Sequence, residues 1–434
     1  MIEEYTLNDL RLMCAKSKYK RLTSETIIGL VDADLLDNGT RHPNLALLKL
    51  AGYLRDNKIP YHLICDGNED IEKYTYIYIS RVFTFTTLPN FYLQNKDSHP
   101  DKFQCGGTGW YATIEDPIEF RERRNADFSG LEKDPRLPGI NMCKQMPDYH
   151  LYDEFIRMKV AEGRKEVYFK DYLNYSIGFL TRGCFRHCSF CVNRLEKRCE
   201  EYSQLSDFVD ESRRNIYLWD DNFFAAPQPI WMKHLEELIA LDKPFQFRQG
   251  LDERLLTEDA VRLLSKARYH GDMIFAFDHW EDREIIEEKL KLWRSYCPTK
   301  GTKFYLFCGF ELTPDDDQKL LQDVCEIFYR IRILMKYGCL GYVMRHEDYH
   351  KHRLGNIYTQ IARWCNQPQF YKKMSFEQFI YQNQLYVTTQ NKCKSVRTYE
   401  EFLERFDSHR EELLDLFRNI KWTDLIDDKY KTKK

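Results

Sequence analysis

The first 80 residues alternate between short apolar runs and one amphipathic stretch. Runs rich in β-branched and aromatic residues predict strands at 26–32, 61–65 and 74–80. The stretch 43–57 has apolar residues at helical spacing, with Pro43 near its start, where a missing N–H costs no hydrogen bond. Strand, helix and strand at this pitch predict a small parallel sheet, Rossmann-like in outline, in an N-terminal domain and linker over residues 1–150.

A longer alternation of the same kind occupies residues 171–350. Apolar runs predict strands at 175–181, 215–219, 245–249, 273–278, 303–310 and 340–344. Amphipathic stretches predict helices at 231–241, 258–267, 282–293 and 314–336. Thr257 and Thr313 stand where N-caps belong, and Pro314 is expected to be the first residue of its helix. Six strands, each followed by a helix or a long connection, predict a partial β/α barrel, whose functional groups gather at the C-terminal strand ends.

Residues 351–434 are expected to form a helical C-terminal region. A helix predicted over 398–417 places Phe402, Phe406, Leu413 and Phe417 on one face, and Thr398 with Glu401 fits a capping box at its start. The predicted fold class is therefore α/β, with an N-terminal Rossmann-like domain, a partial (β/α)6 TIM-type barrel and this C-terminal extension.

Composition and charge narrow the classes of partner. The chain has 434 residues, is 43% hydrophobic and has a formal net charge of -3, which argues against bulk binding of nucleic acid without excluding a local basic groove. No apolar run approaches the ~20 residues that a membrane helix needs. The acidic N-terminus lacks a signal-peptide pattern, so we expect a cytoplasmic location and no membrane partner. There the 14 cysteines are expected to be thiols or metal ligands.

Three cysteines stand close together directly after the first predicted barrel strand. The stretch TRGCFRHCSFC contains Cys184, Cys188 and Cys191 at C-x₃-C-x₂-C spacing. Three soft thiolates suit zinc or an iron–sulfur cluster, and a cluster with three protein ligands keeps one iron open to another molecule. A closed zinc site needs a fourth ligand, for which His187 or Cys199 is available. A fully ligated cluster that only transfers electrons is a third interpretation.

The cysteine spacing and the β/α alternation that follows resemble the radical S-adenosylmethionine (SAM) superfamily. The resemblance implies that the three cysteines bind a 4Fe–4S cluster and that the amino and carboxylate groups of SAM bind the fourth iron. It implies reductive cleavage of SAM to a 5′-deoxyadenosyl radical, which acts on an unidentified substrate. A flavodoxin- or ferredoxin-type protein is the implied one-electron reductant. Phe190, between the last two cysteines, is expected near the adenine.

Polar residues at the later strand ends are candidates for binding SAM. Asp220, Asp221 and Asn222 follow the second strand, where superfamily members often have a Gly-Gly-Glu-like segment that receives the SAM amino group. An acid there can accept the ammonium's hydrogen bonds, and a solvated turn is the alternative.

Four further candidates follow the third, fourth and fifth strands. Gln249 and Arg254 come after the third strand, Asp278 after the fourth, and Gly309 stands in the segment that resembles the superfamily's adenine-accommodating glycine. Helix capping is an alternative role for Asp278 and for the neighbouring Asp252, and pairing with an acid is the alternative for Arg254.

The N-terminal segment resembles the cobalamin-binding-like domain that precedes many radical SAM barrels. The resemblance rests on DADLLDNGTRHPNLALLKLAGYL (32–54), the short strands after it and CGGTGW (105–110). His42 lacks the Asp-x-His-x-x-Gly pattern of a cobalt ligand, but superfamily members without it also bind cobalamin, so that cofactor stays open. The competing functions are a methylthiotransferase-like enzyme, a cobalamin-dependent radical methyltransferase and a zinc-stabilised binding module. A methylthiotransferase needs three N-terminal cysteines for a second cluster, and Cys14, Cys65 and Cys105 are available.

Overall fold

The computed structural model describes residues 22–40, 42–128, 130–382 and 393–431, which form a mixed α/β protein with parallel sheets. The chain divides into two compact units, each made of several chain segments. Over the described residues, unit 1 consists of the chain up to Leu180, Cys191–Glu196 and Tyr202–Tyr217. Unit 2 consists of Thr181–Phe190, Lys197–Glu201 and the chain from Leu218 onwards. No described helix is both long enough and apolar enough to cross a membrane.

The bounds of the described strands and helices are as follows, in chain order. The described strands are β1 (Ile28–Asp32), β2 (Tyr61–Leu63), β3 (Tyr76–Ser80), β4 (Phe103–Gly106), β5 (Tyr175–Gly178), β6 (Thr181–Gly183), β7 (Cys199–Glu201), β8 (Asn215–Leu218), β9 (Phe245–Phe247), β10 (Met273–Ala276), β11 (Thr302–Cys308) and β12 (Leu340–Arg345). The described helices are α1 (Ala33–Asn38), α2 (Leu45–Asp56), α3 (Asn90–Asn95), α4 (Pro117–Phe128), α5 (Asp153–Ala161), α6 (Lys170–Asn174), α7 (Gln228–Leu241), α8 (Glu258–Lys266), α9 (Arg283–Tyr296), α10 (Asp317–Lys336), α11 (Asn356–Cys365), α12 (Pro368–Tyr371), α13 (Phe376–Tyr381), α14 (Lys394–Arg405), α15 (Arg410–Asn419) and α16 (Trp422–Leu425).

Unit 1 contains a four-stranded parallel sheet with the order β2-β1-β3-β4. Leu30 and Tyr78 face one apolar core, which includes Leu47 of α2. Val31 and Ile79, the next residues along the same strands, face a second core. Burial on both faces explains why these strands are near-continuous apolar runs, as is usual for parallel sheets. The parallel sheet agrees with the prediction from strand–helix alternation.

The segment Tyr202–Tyr217 is held within unit 1 by a buried arginine. The guanidinium of Arg213 donates hydrogen bonds to the carbonyls of Tyr149, Tyr172 and Tyr175. The hydroxyl of Tyr149 in turn donates to the carbonyl of Phe208 at 2.7 Å. These bonds satisfy buried polar groups that would otherwise be costly.

Unit 2 has a short hairpin-like pair and a three-stranded parallel sheet. β6 and β7 are antiparallel, and β10, β11 and β12 are parallel in that order. From β8 to β12, each strand is followed by a helix before the next strand begins, in agreement with the predicted alternation. Along β11, the side chains alternate between two faces. Phe304, Leu306 and Cys308 are buried, whereas the residues on the other face are half-buried: Lys303, Tyr305 and Phe307.

The far edge of β12 is covered by side chains from the helical region. Val343 N–H donates to Asn366 Oδ1 at 2.7 Å, and Asn366 Nδ2 donates back to the Val343 carbonyl at 3.1 Å. The hydroxyl of Tyr371 donates to the carbonyl of Cys339, just before the strand. These contacts give the outer backbone groups of an edge strand the partners that another strand would otherwise supply.

Of the two predicted threonine N-caps, Thr257 is confirmed and Thr313 is wrong. Thr257 caps α8 as predicted, accepting from Ala260 N–H at 3.2 Å. Helix α10 begins at Asp317 rather than Pro314, because Asp316 takes the N-cap position expected for Thr313 and accepts from the Lys319 N–H. An acidic N-cap also favours the positive end of the helix dipole.

The helix predicted over 398–417 is two helices. α14 starts at Lys394, so Thr398 lies in its interior and forms no capping box with Glu401. The chain breaks at a 3₁₀ turn over Asp407–His409 before α15. The apolar face is nevertheless buried as predicted, at Phe402, Phe406, Leu413 and Phe417.

Candidate functional site

The first two cysteines lie on an irregular loop that leaves β6. We define the cysteine loop as residues Cys184–Phe190, all in unit 2. Gly183 pairs with Cys199 at its base. Gly183 has φ of +102°, and a Cβ there would lie 2.2 Å from the Arg198 carbonyl oxygen, so the turn into the loop requires glycine.

The three cysteines of the motif are partly exposed free thiols. Cys184 and Cys188 belong to unit 2, and Cys191 opens a short segment of unit 1. Cys184 Sγ accepts from the Arg186 N–H at 3.4 Å, and Cys191 Sγ accepts from the Asn193 N–H at 3.4 Å. Burial raises the pKa of Cys188, and the nearby charge of Asp278 adds to the effect.

The thiols fit a soft metal by their chemistry, although their arrangement is not that of a finished site. Within the four described ranges, no group of three or more His, Cys, Asp or Glu side chains is arranged to hold a metal ion. Cys199, one candidate for a fourth zinc ligand, is buried and donates to the Asn222 carbonyl. Burial raises the pKa of Cys199 to about 12, which disfavours the thiolate that a metal needs.

The two acids after β8 bind the strand that precedes the cysteine loop. Asp220 accepts hydrogen bonds from the Thr181 N–H at 2.6 Å and from its hydroxyl at 2.8 Å. Asp221 accepts from Arg182 Nε at 3.0 Å and from the Gly183 N–H at 2.9 Å. Both carboxylates therefore fix β6, which carries the loop.

Asn222 differs from these two acids because it reaches the loop itself. Its Nδ2 lies 3.4 Å from Cys184 Sγ and 3.3 Å from an Asp252 carboxylate oxygen, so it donates towards both. Its Oδ1 is buried and has no hydrogen-bond partner among the residues that the structure describes. An unmet buried acceptor beside a cysteine is where a donor group of a ligand would be stabilised.

A chain of charged groups follows β9. Asp252 accepts from Arg186 Nε at 2.7 Å and from Arg254 Nε at 2.7 Å, and Arg254 Nη1 donates to Asp282 at 2.6 Å. Burial alone would raise the pKa of Asp252, but Arg254 and Arg186 outweigh it and hold the pKa below its ordinary value. Arg254 therefore pairs with acids, as the alternative interpretation of this residue expected. The Asp252 side chain makes no capping bond, although a 3₁₀ turn follows it.

Gln249 is set apart from this network. Its side chain is exposed, and the described part of the chain provides it with no hydrogen bond. Gln249 and Arg254 follow the same strand, but only Arg254 belongs to the charged network.

Phe190, Asp278 and Gly309 come together at one cleft of about 490 Å³ in unit 2. The Phe190 ring stacks on Phe307 with centroids 3.8 Å apart and an interplanar angle of 29°. The residues that form this part of the cleft wall are Phe190, Asp278, His279, Phe307, Gly309 and Phe310. A cleft with stacked aromatic rings and a few polar groups suits a flat ring that carries hydroxyls.

Asp278 and Gly309 are held in place by polar contacts. The Phe307 N–H donates to Asp278 Oδ1 at 3.3 Å, and burial raises the pKa of Asp278 against the opposing charge of Arg330. Asp278 follows β10 without starting a helix, so helix capping does not explain it. Gly309 has φ of +74°, its N–H donates to Asp323 at 2.7 Å, and a Cβ there would lie 2.9 Å from Tyr349 Cβ.

Arg186, Phe307 and Asp323 belong to the site but were not predicted from the sequence. Arg186 stands between Cys184 and Cys188. A cation among three thiolates could have indicated from the sequence that it contributes to the site. Phe307 is the last residue on the half-buried face of β11, which strand alternation could have identified. Asp323 lies inside a long helix, and nothing local distinguishes it.

The polar groups at the ends of β1 and β3 are paired with one another. Doubly wound sheets bind ligands where the strand order reverses, which here is between these two strands. Tyr152 is buried there and donates to Asp32 at 2.8 Å, while Asn44 donates to Ser80 at 2.7 Å. Burial raises the pKa of Asp32 to about 7.

The remaining N-terminal candidates are one histidine and two cysteines. His42 Nδ1 lies 2.9 Å from an Asp171 oxygen, a contact that fixes the orientation of the ring. Cys65 is partly buried, and burial raises its pKa to about 11. Cys14 lies outside the described residues.

No model of a known protein family matches the chain, and no curated protein matches it at a significant level.

Proposed function

We propose that this protein is a radical SAM enzyme that binds a 4Fe–4S cluster through Cys184, Cys188 and Cys191 and uses SAM as a co-substrate. One observation carries the proposal. Phe190, Asp278 and Gly309, which come from the cysteine loop and from two strand ends, line one cleft. Stacked aromatic rings, a carboxylate and a glycine turn beside three thiols are the groups that an adenosyl ligand of a cluster needs.

The residues of the chain have distinct parts in this proposal. Phe190 and Phe307 hold the adenine by stacking, and the turn at Gly309 leaves room for it because a side chain there would collide with Tyr349. Asp278 accepts hydrogen bonds from the ribose hydroxyls. When bound, the cluster supplies the electron that cleaves SAM to methionine and a 5′-deoxyadenosyl radical.

Asn222 receives the amino group of SAM. Its buried Oδ1 lacks a partner among the described residues and lies on the side chain that contacts Cys184. Asp220 and Asp221 are assigned to β6 instead, because one oxygen of each carboxylate accepts two hydrogen bonds from residues of that strand.

The architecture that supports this function is a partial β/α barrel preceded by a Rossmann-like domain. The alternation of strand and helix from β8 to β12 supports the barrel, since its candidate residues follow the C-terminal ends of successive strands. The strand order β2-β1-β3-β4 in unit 1 supports the Rossmann-like domain, because it begins like the flavodoxin-type order. A flavodoxin or ferredoxin is the proposed electron donor.

The first experiment follows 5′-deoxyadenosine after anaerobic reconstitution with iron and sulfide, reduction with dithionite and addition of SAM. The parent is compared with Cys184→Ala, Cys188→Ala and Cys191→Ala. Cys393→Ala is the matched control, because Cys393 is also a partly exposed free thiol. We expect product from the parent and the control and none from the three motif variants.

Two results would overturn the proposal. A parent that binds one zinc ion and lacks iron–sulfur absorption in the visible range would assign the motif to a zinc site. A parent whose reduced cluster gives the same EPR spectrum with and without SAM, and no 5′-deoxyadenosine, would assign it to electron transfer alone.

A further inference from the structure

Asp252 is connected to the cysteine loop through two side chains, those of Arg186 and Asn222. Through Oδ2 it binds Arg186 Nε at 2.7 Å, and Arg186 stands inside the loop. The same oxygen lies 3.3 Å from Asn222 Nδ2, which contacts Cys184 Sγ at 3.4 Å. One carboxylate oxygen therefore contacts both the side chain of the loop and the neighbour of its first cysteine.

The other side of Asp252 is anchored to the body of unit 2. Its Oδ1 accepts from Arg254 Nε, and Arg254 also binds Asp282, which directly precedes α9. Asp252 is 8% exposed, so solvent screens these charge-assisted bonds only weakly. The loop is thus joined to the connections that follow β9 and β10 by an alternating series of charges: Arg186, Asp252, Arg254 and Asp282.

We propose that Asp252 is a positioning residue that holds the cysteine loop, through Arg186 and Asn222, in the conformation that presents its thiols to the cluster. This inference rests on the proposed function for the identity of the cluster. The loop has no helix or strand of its own between Cys184 and Phe190, so side-chain contacts must fix it. Removing the carboxylate releases Arg186 and leaves two arginines near each other without their shared counter-charge.

The first test uses the reduced, metal-free full chain. Alkylation of Cys184 and Cys188 by iodoacetamide is timed by peptide mass spectrometry, with the partly exposed thiol of Cys393 as internal reference. Because the contacts of Asp252 restrict the motion of a loop whose thiols are only partly exposed, we expect Asp252→Asn to speed alkylation of both loop cysteines about 10-fold. The rate at Cys393 should not change.

Two further variants separate positioning from a general loss of structure. Asp252→Glu keeps the charge and should restore much of the protection, whereas an isosteric amide should not. Arg186→Ala and Asp252→Ala should combine less than additively in the double variant, because both remove the Arg186–Asp252 bond. Arg186→Gln leaves Asp252 paired with Arg254 and serves if the Asp252 variants do not fold.

A second measurement reports on the charge. In the reconstituted protein, Asp252→Asn should shift the midpoint potential of the cluster to a more positive value, because loss of a negative charge favours the reduced state. Equal alkylation rates in the parent, Asp252→Asn and Arg186→Gln would overturn the positioning role. A parent that gives no 5′-deoxyadenosine and an EPR spectrum unchanged by SAM would overturn the proposed function and leave the alkylation result intact, since that result needs no metal.

Discussion

Among single residues, Asn222 offers the clearest distinction from its neighbours, because its acceptor oxygen is buried and unused among the described residues. If it receives the SAM amino group, Asn222→Ala should weaken SAM binding about 10- to 100-fold, the usual range for losing a hydrogen bond to a charged group. Equilibrium dialysis of labelled SAM against reconstituted protein measures this. Gln249→Ala is the control, since Gln249 is exposed after a neighbouring strand. Equal loss of affinity in both variants would contradict the assignment.

Glu253 is the next residue after Asp252, and its environment is the opposite. Its side chain is fully buried, and both oxygens lack a hydrogen-bond partner within the described chain. Burial therefore raises the pKa of Glu253 well above its ordinary value, against the charge of Arg294. The folded state binds this proton more tightly than the unfolded state. Its contribution to stability is thus complete below the ordinary glutamate pKa and is lost as the pH rises.

Glu253→Gln should remove that dependence, because the amide has no titrating proton. We expect its melting temperature to exceed the parent's by about 3 °C or more at pH 8 and to differ less at pH 4. Asp32 has a raised pKa as well, so the quantity to follow is the difference between variant and parent at each pH. A difference that stays constant from pH 4 to pH 8 would exclude a buried, protonated Glu253.

At the scale of elements, the edge of β12 depends on one amide side chain. Asn366→Ala removes both partners of the Val343 backbone, which is buried, and should raise the free energy of that local structure by about 1–3 kcal/mol. Hydrogen–deuterium exchange of the peptide that contains Val343 should accelerate accordingly. Gln369→Ala, at an exposed position in the following helix, should leave the exchange unchanged. Unaltered exchange in Asn366→Ala would show that the edge needs no such partner.

Elements were predictable where one local pattern determines them. β1 and β3 are apolar runs because parallel strands are covered on both faces. β11 alternates between a buried and a half-buried face, and Thr257 caps α8 from the position expected of an N-cap. The starts of α10 and α14 were missed for opposite reasons. Asp316 competes with Thr313 for one N-cap, whereas α14 begins after Cys393, whose side chain makes no capping bond that a sequence could reveal.

The candidate site was predictable to the same extent. Asp278 and Gly309 meet because β10 and β11 are neighbouring parallel strands whose ends lie at a common edge. Phe190 lies on an irregular loop, so its place beside them does not follow from strand order. The different roles of Asp220, Asp221 and Asn222 depend on partners about 40 positions away, such as Thr181 and Arg182. Such long-range pairing leaves no local pattern.

For the whole molecule, the division into units predicts which fragments fold. A fragment of residues 1–217 contains every segment of unit 1, whereas a fragment of residues 1–180 lacks Arg213 and its bonds to Tyr149, Tyr172 and Tyr175. We expect the longer fragment to be soluble with a cooperative thermal transition and the shorter one to aggregate. Circular dichroism and gel filtration of both fragments test this, and two equally well-folded fragments would contradict it.

The order in which the chain passes through the two units limits how recombination can exchange them. The backbone passes from one unit to the other after Leu180, Phe190, Glu196, Glu201 and Tyr217. A single recombination event in the gene therefore cannot exchange one unit for a foreign counterpart, since no single cut puts all of unit 1 on one side and all of unit 2 on the other. The second and third cysteines of the motif are coded on opposite sides of one of these passages. Exchange of one whole unit would need several crossovers between residues 180 and 218.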